Sequence, residues 1–207
     1  ERGLRSPVLV TAAGDGMTSA TTVVPLPPVR PPIATGAGLT HRGRVRERNE
    51  DAILTDPSGM LWAVADGMGG HGHGDVAADI VIDCLETIAD DESPAEALLS
   101  RLTEANRLVR ERAALSGAEG MGSTVVAVMV VRAMAWVAWV GDARAYLVRG
   151  GRLRLLTRDH TLVQALVDKG ELRPEEAERH PESHIVTRAV GGAPEIEIDL
   201  LTQPLLP

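Results

Sequence analysis

Phenylalanine is absent from the 207-residue sequence, and tyrosine occurs only once. The hydrophobic core must therefore be built from valine, leucine, isoleucine and alanine rather than from large aromatic side chains. Apolar residues still make up 44% of the chain and charged residues 24%, a balance typical of a globular protein. The length suits one folded domain with an appendage.

Cysteine is also scarce, since Cys84 is the only one. A single cysteine excludes disulfides within the chain and zinc sites made of four cysteines. Cys84 falls on the apolar face of a helical pattern, so we interpret it as a core residue. The lack of paired cysteines predicts a cytoplasmic location.

The sequence lacks a long hydrophobic run and an excess of positive charge. No apolar run reaches the roughly eighteen residues that a membrane helix needs. The first residue is Glu1 rather than methionine, and the start has no signal-peptide pattern. Because 29 acidic side chains outnumber 21 basic ones, we predict no nucleic-acid partner. We also predict no membrane partner, whereas divalent cations suit such an acidic chain.

Proline divides the chain into two parts. Five prolines fall within the eight positions 25–32. Because proline fixes φ and has no N–H to donate, this composition predicts an extended linker or tail over residues 1–37. The remaining residues, 38–207, are predicted to form the folded domain.

Hydrophobic periodicity predicts an α+β domain with antiparallel strands, because the connections are short and two helices follow one another. Ser93 and Glu96 match a capping box at the start of the second helix. The pair Gly150–Gly151 predicts a hairpin turn. The predicted strands are 51–55, 60–66, 124–131, 135–140, 145–148, 152–156 and 195–201, and the predicted helices are 75–88, 94 onward, 162–169 and 174 onward.

Two aspartates, Asp66 and Asp142, stand beside glycine at the end of an apolar strand. A carboxylate in that position is fixed by a rigid strand but faces an open edge. Mg²⁺ and Mn²⁺ prefer oxygen ligands, so the pattern predicts a metal site. Gly67 is expected to let a metal ion approach the backbone closely enough for a carbonyl to join its coordination.

Several short motifs follow one another along the chain: RxxxED (Arg46, Glu50, Asp51), DGMGGH (66–71), GMGST (120–124), GDAR (141–144) and DHT (159–161). In this order they resemble the metal-dependent protein phosphatase (PPM, type 2C) family in its bacterial form. The resemblance covers roughly residues 38–207, and the ordered set is far more specific than any one motif.

The resemblance implies a β-sandwich of two antiparallel sheets flanked by helices. It also implies a serine/threonine phosphatase that acts on phosphorylated proteins, opposes a serine/threonine kinase and uses two or three Mn²⁺ or Mg²⁺ ions. Residues 162–191 resemble the family's flap beside the active site. By this resemblance, Asp66 bridges two metal ions, the Gly67 carbonyl binds one of them, and Glu50 and Asp51 hold metal-bound waters. Asp142 helps to bind a third metal ion, and Arg46 binds the substrate phosphate.

The sequence departs from the family pattern in two respects. Two further metal-binding aspartates, in an SDGL-like strand end and a DN pair, do not occur, so the domain is expected to be truncated at its C-terminus. Met68 stands where some relatives carry a histidine proposed as a general acid. An inactive phosphatase-like module that binds phosphoproteins is therefore the alternative function.

The stretch HGHGD, residues 71–75, supports a different hypothesis. It resembles the first half of the HxHxDH motif of metallo-β-lactamase-type hydrolases. Val76 stands where that motif has its last histidine. We therefore interpret His71 and His73 as solvated loop residues.

Overall fold

A computed structural model describes residues 34–44, 46–56, 59–69, 73–89 and 91–205. Most of the linker predicted over residues 1–37 lies outside this part of the chain, so that linker stays a prediction. The described residues form seven strands and four helices. No helix among them is both long and apolar enough to cross a lipid bilayer.

The elements follow the predicted order of strands, two helices and further strands. The strands are β1 (Asp51–Thr55), β2 (Leu61–Met68), β3 (Gly122–Val131), β4 (Met134–Val140), β5 (Tyr146–Arg149), β6 (Arg152–Leu155) and β7 (Asp199–Pro204). The helices are α1 (Gly74–Glu86), α2 (Pro94–Ser116), α3 (Leu162–Asp168) and α4 (Pro174–Ala177).

The main sheet is antiparallel, with strand order β1-β2-β3-β4-β7. Successive strand residues point to opposite faces, and one face of this sheet is covered by α1 and α2. The core on that side is built from small and branched aliphatic side chains, as the absence of phenylalanine requires. It includes Ala65, Val125, Met129, Val140, Val81, Leu85, Leu98 and Leu102, and Cys84 is buried there as predicted.

The opposite face of the main sheet carries a second, smaller cluster. Val126, Val137 and Trp139 are buried there and pack against partly buried residues that include Ala145 and Leu156. These two flank the two-stranded sheet β5–β6, whose turn has positive φ at Gly150 and Gly151, as predicted. Antiparallel sheets with flanking helices confirm the predicted α+β class.

Three local predictions need correction. Strand β2 does not end at Asp66 but continues to Met68, because Gly67 and Met68 pair with β3. Helix α2 begins after Ser93 as predicted, but the Ser93 side chain accepts no cap hydrogen bond. The carboxylate of the preceding residue, Glu92, accepts from the Ala89 amide and from Arg101 and bonds none of the described first-turn amides of α2.

The last strand also differs from the prediction. It spans Asp199–Pro204 rather than 195–201, since its ladder with β4 starts at the pair Trp139–Asp199. Residues 195–198 alternate in polarity without pairing as a strand. In this segment Ile196 and Ile198 pack against the core, while Glu197 forms an ion pair with Arg188.

The turn between β3 and β4 has a conformation that its residues do not favour. Arg132 and Ala133 have φ values of 51° and 64° and join the paired residues Val131 and Met134. Positive φ at both positions matches a type I′ hairpin, which prefers asparagine and glycine. A residue with a Cβ atom loses about 1–2 kcal/mol in this region.

We expect Ala133→Gly to stabilise the protein by about 1 kcal/mol, because glycine adopts positive φ without a steric cost. Urea unfolding followed by circular dichroism measures the change. Ala114→Gly is the matched control, since the same substitution at this exposed position in the last turn of α2 should destabilise by up to about 1 kcal/mol. Equal destabilisation by both substitutions would contradict the strained turn.

Candidate functional site

One cavity brings together all six residues that the sequence analysis selected. It has a volume of about 690 Å³ and lies at one end of the main sheet. Four of its lining residues carry carboxylates, and arginines line it as well. The predicted residues that line it are Arg46, Glu50, Asp51, Asp66, Gly67 and Asp142.

Strand register explains why these distant residues meet. Asp51 on β1 lies opposite Asp66 on β2, and Asp66 lies opposite Thr124 on β3. The pairing of Val125 with Val140 places Gly141, just beyond the end of β4, next in this row. Ala65 belongs to the core beneath α1 and α2, and successive strand residues point to opposite faces of the sheet. Asp66 and the rest of its row therefore face away from α1 and α2.

The carboxylates of the row repel one another. The pKa of Asp66 is raised, first by partial burial and then by the negative charges of Asp51 and Asp142. A side-chain hydrogen bond with Asp51 acts in the same direction, whereas the positive charge of Arg46 opposes the shift. The site thus holds negative charge that a bound cation would stabilise.

Gly67 has a packing role that the sequence analysis did not predict. A Cβ atom at position 67 would lie 1.9 Å from the carbonyl oxygen of Gly74 and 2.7 Å from that of Glu50. The amide of Gly67 donates a 3.0 Å hydrogen bond to the Glu50 carbonyl. The backbone at the start of α1 and before β1 therefore requires a glycine at this position. The expectation that the Gly67 carbonyl joins the coordination of a metal ion stays a prediction.

The oxygen donors around the cavity fit a hard divalent cation. These donors are oxygen atoms, namely the carboxylates of Asp51, Asp66 and Asp142 and the backbone carbonyl of Gly67. The buried hydroxyl of Thr124 has no hydrogen-bond partner among the described residues. No three His, Cys, Asp or Glu side chains of that part of the chain converge on one point. Mg²⁺ tolerates this arrangement, because it binds one or two carboxylates and keeps several waters.

The structure adds cavity residues that the sequence analysis did not assign to the site. Thr124 belongs to the quoted GMGST motif, but its pairing with Asp66 is set by register, which the motif does not reveal. His184, Ile185 and Val186 also line the cavity. They lie within residues 162–191, which the family resemblance places beside the active site. That resemblance was the signal that could have identified them.

The histidine-centred hypothesis finds no support. His71 lies outside the described residues. His73 occupies the N-cap position of α1, where its carbonyl accepts from the Ala77 amide. It is not among the described residues that line the cavity.

Comparison with known proteins agrees with the fold. The family profile described as Protein phosphatase 2C matches residues 37–188. The chain belongs to the protein phosphatase 2C family, and the resemblance inferred from the motifs is confirmed. Its curated relatives in that family carry the names of bacterial serine/threonine phosphatases.

Two relatives illustrate the extent of the match. The serine/threonine protein phosphatase PstP of Mycobacterium tuberculosis is 40% identical over 161 residues, which cover 75% of this chain and 31% of PstP. The serine/threonine phosphatase stp of Listeria welshimeri is 36% identical over 176 residues, covering 80% of this chain and 70% of stp. The chain thus spans about a third of the length of the mycobacterial relative.

Solved structures share the fold. PppA, a regulatory component of T6SS in Pseudomonas aeruginosa, superposes with a TM-score of 0.73 at 41% identity, covering 82% of this chain and 71% of PppA. The catalytic domain of PstP in complex with two manganese ions gives a TM-score of 0.71 at 35% identity, covering 81% and 71%.

We expect Gly67→Ala to destabilise the protein by about 2–3 kcal/mol, because its Cβ would overlap backbone atoms that cannot move independently. Urea unfolding measures the loss. Gly38→Ala is the control, since its Cβ would meet only side-chain atoms of Ile53 and Thr55. A loss at Gly67 no larger than at Gly38 would contradict the close backbone contact.

In the metal-free protein, we expect Asp66→Asn to raise Tm at neutral pH. A raised pKa means that the folded state favours the protonated carboxyl. Ionisation therefore costs stability as the pH rises from the ordinary aspartate value through the raised one. The gain from asparagine should be absent near about pH 3 and present at neutral pH.

Thermal unfolding in EDTA, over a series of pH values, measures this effect. Asp83→Asn is the control, because Asp83 is exposed on α1 and does not line the cavity. A lower Tm for Asp66→Asn than for the wild type at neutral pH would show that the Asp66 charge is not destabilising.

Proposed function

We propose that this chain carries a serine/threonine phosphatase domain that hydrolyses phosphoserine and phosphothreonine in proteins. The observation that supports this most directly is the cavity, where four carboxylates lie together with Arg46. Membership of the protein phosphatase 2C family and the names of the relatives support the same reaction.

We assign the acidic side of the cavity to Mn²⁺ or Mg²⁺, two or three ions in all. Asp66 would hold two of them, with the Gly67 carbonyl, Glu50 and Asp51 completing that part of the site. Asp142 would contribute to a further ion. The manganese complex of the PstP catalytic domain supports this assignment. When bound, such ions lower the pKa of water and offset the charge of the phosphate.

The protein's own side chains would position the substrate. The guanidinium of Arg46 matches phosphate oxygens in geometry and charge, so it would bind the phosphate and orient it toward the carboxylates. The exposed Arg42 and Arg48 also line the cavity and add positive charge around an anionic substrate.

The substrates we propose are phosphorylated proteins, made by a serine/threonine kinase in the same compartment. A cavity that opens at the end of a sheet is accessible to a phosphorylated side chain on a peptide. The cytoplasmic location predicted from the sequence is compatible with this pairing. The absence of a nucleic-acid or membrane partner stays a prediction.

We expect Asp66→Asn to reduce kcat on a phosphothreonine peptide with Mn²⁺ to background. Asparagine keeps the shape of the side chain but removes the charge that would hold the ions. Arg46→Ala should lower kcat by about 10²–10³, because one positioned electrostatic contact is lost. Steady-state kinetics with parallel calorimetric titration of Mn²⁺ measures both effects.

Two exposed residues outside the cavity provide matched controls. Asp83→Asn and Arg112→Ala repeat the two substitutions on α1 and α2, and both should retain wild-type kcat. Wild-type rate and Mn²⁺ affinity in Asp66→Asn would overturn the proposed site. Tight phosphopeptide binding without turnover by the wild type would instead favour the inactive binding module.

A further inference from the structure

The GDAR and DHT motifs contact each other in the folded domain. GDAR, residues 141–144, forms the loop after β4 and carries Asp142 into the cavity. DHT, residues 159–161, lies between β6 and α3. The sequence analysis assigned a role to Asp142 and none to the residues of DHT.

His160 holds Gly141 through two hydrogen bonds. The Gly141 amide donates to the Nδ1 atom of His160 at 3.0 Å, and the His160 amide donates to the Gly141 carbonyl at 2.9 Å. The imidazole is buried and stacks on Trp139, with ring centroids 6.2 Å apart and an angle of 17° between the planes. The ring is therefore fixed by packing as well as by hydrogen bonds.

The hydrogen-bond pattern defines the tautomer of His160. A backbone N–H can only donate, so Nδ1 carries a lone pair and the ring proton is on Nε2. Nε2 lies 3.4 Å from Oδ2 of Asp199, whose other oxygen accepts from Arg188 at 3.0 Å. Burial lowers the pKa of His160 and the Arg188 charge acts in the same direction, whereas Asp199 and Asp159 oppose this shift.

A second contact holds the other end of the loop. The carboxylate of Asp159 accepts from Nε of Arg144 at 2.9 Å and from its Nη2 at 2.6 Å. Such a bidentate pair fixes orientation as well as distance. DHT thus binds the loop on both sides of Asp142, at Gly141 and at Arg144.

The loop has little freedom to shift toward the sheet. A Cβ atom on Gly141 would lie 2.4 Å from Cβ of Thr124, and Gly141 has a φ of 101°. Thr124 is the neighbour of Asp66 across the strands. The position of Gly141 therefore decides where Asp142 stands relative to Asp66.

We propose that His160 is a positioning residue, whose Nδ1 atom holds the Gly141 amide and thereby fixes Asp142 in the cavity. The inference rests on the proposed function for its catalytic consequence, but its structural basis is independent of any reaction. His160 does not reach the substrate, since it is not among the described residues that line the cavity.

His160 and its neighbours also contact another part of the cavity lining. The His160 carbonyl accepts from the Thr187 amide at 2.8 Å, and the Leu162 amide donates to the Ile185 carbonyl at 2.9 Å. Ile185 and Val186 line the cavity. The segment 159–162 is thus bonded both to the Asp142 loop and to the segment that contains Ile185 and Val186.

Two substitutions of the same shape isolate the acceptor. Leucine and asparagine are nearly isosteric and both remove the stacked ring, but only asparagine can accept a hydrogen bond at the δ position. We expect His160→Leu to weaken Mn²⁺ binding and lower kcat/KM by about 10–100-fold, the usual effect of losing an outer contact of a metal site. His160→Asn should recover most of both losses.

Hydrogen exchange of the Gly141 amide, measured by NMR in the metal-free protein, tests the contact without any activity. The amide should be protected in the wild type and in His160→Asn, and should exchange rapidly in His160→Leu. Equal exchange rates in the leucine and asparagine variants would overturn the proposal. The exchange rate of the Gly141 amide tests the His160 contact even if the wild type hydrolyses no phosphopeptide. A lack of hydrolysis would contradict only the proposed function.

A double-mutant cycle tests whether His160 acts through Asp142. In an Asp142→Asn background, His160→Leu should cause no further loss of Mn²⁺ affinity. Leu102→Ala, a core substitution in α2, controls for stability, since it should lower Tm and leave Mn²⁺ affinity unchanged. Additive losses from His160→Leu and Asp142→Asn, or an equal loss of affinity in Leu102→Ala, would overturn the positioning role.

Discussion

Repulsion between the carboxylates of Asp51 and Asp66 is the constraint on which the rest of the structure depends. The two residues lie directly opposite each other on adjacent strands, where like charges destabilise a sheet. Burial is the main cause of the raised pKa of Asp66, and the charge of Asp51 adds to it. The fold bears the repulsion because β2 is also paired along β3 and covered by α1, so the strands cannot shift away from each other without losing the core.

Glycine contributes to the site by letting backbones approach each other. Gly67 accommodates the start of α1, and Gly141 accommodates Thr124. A side chain at Gly67 would also meet the backbone of Glu50, and one at Gly141 would meet Thr124, and both of these neighbours line the cavity. The glycines of the family motifs therefore shape this site through packing, and the ionisable side chains beside them supply its charge.

Contacts from distant parts of the chain hold the edges of the cavity. The buried side chain of Asn106 on α2 accepts from the Gly191 amide at 2.7 Å and donates to the Ala193 carbonyl at 3.0 Å. Ser123 pairs with Val190 on the same side of the sheet. These contacts anchor residues 190–193 to α2 and β3, just after the segment whose residues Ile185 and Val186 line the cavity.

The sequence by itself determined the α+β class, most element positions, the buried Cys84 and the six residues that meet in the cavity. These features depend on local periodicity or on short motifs, both of which are written in neighbouring residues. Tertiary structure decided the rest: the pairing of Asp66 with Asp51 and Thr124, the backbone contact at Gly67, the later start of β7 and the clamp of His160 on Gly141. Each of these depends on the register or packing of segments far apart in the chain, and local sequence patterns do not specify which distant groups come into contact.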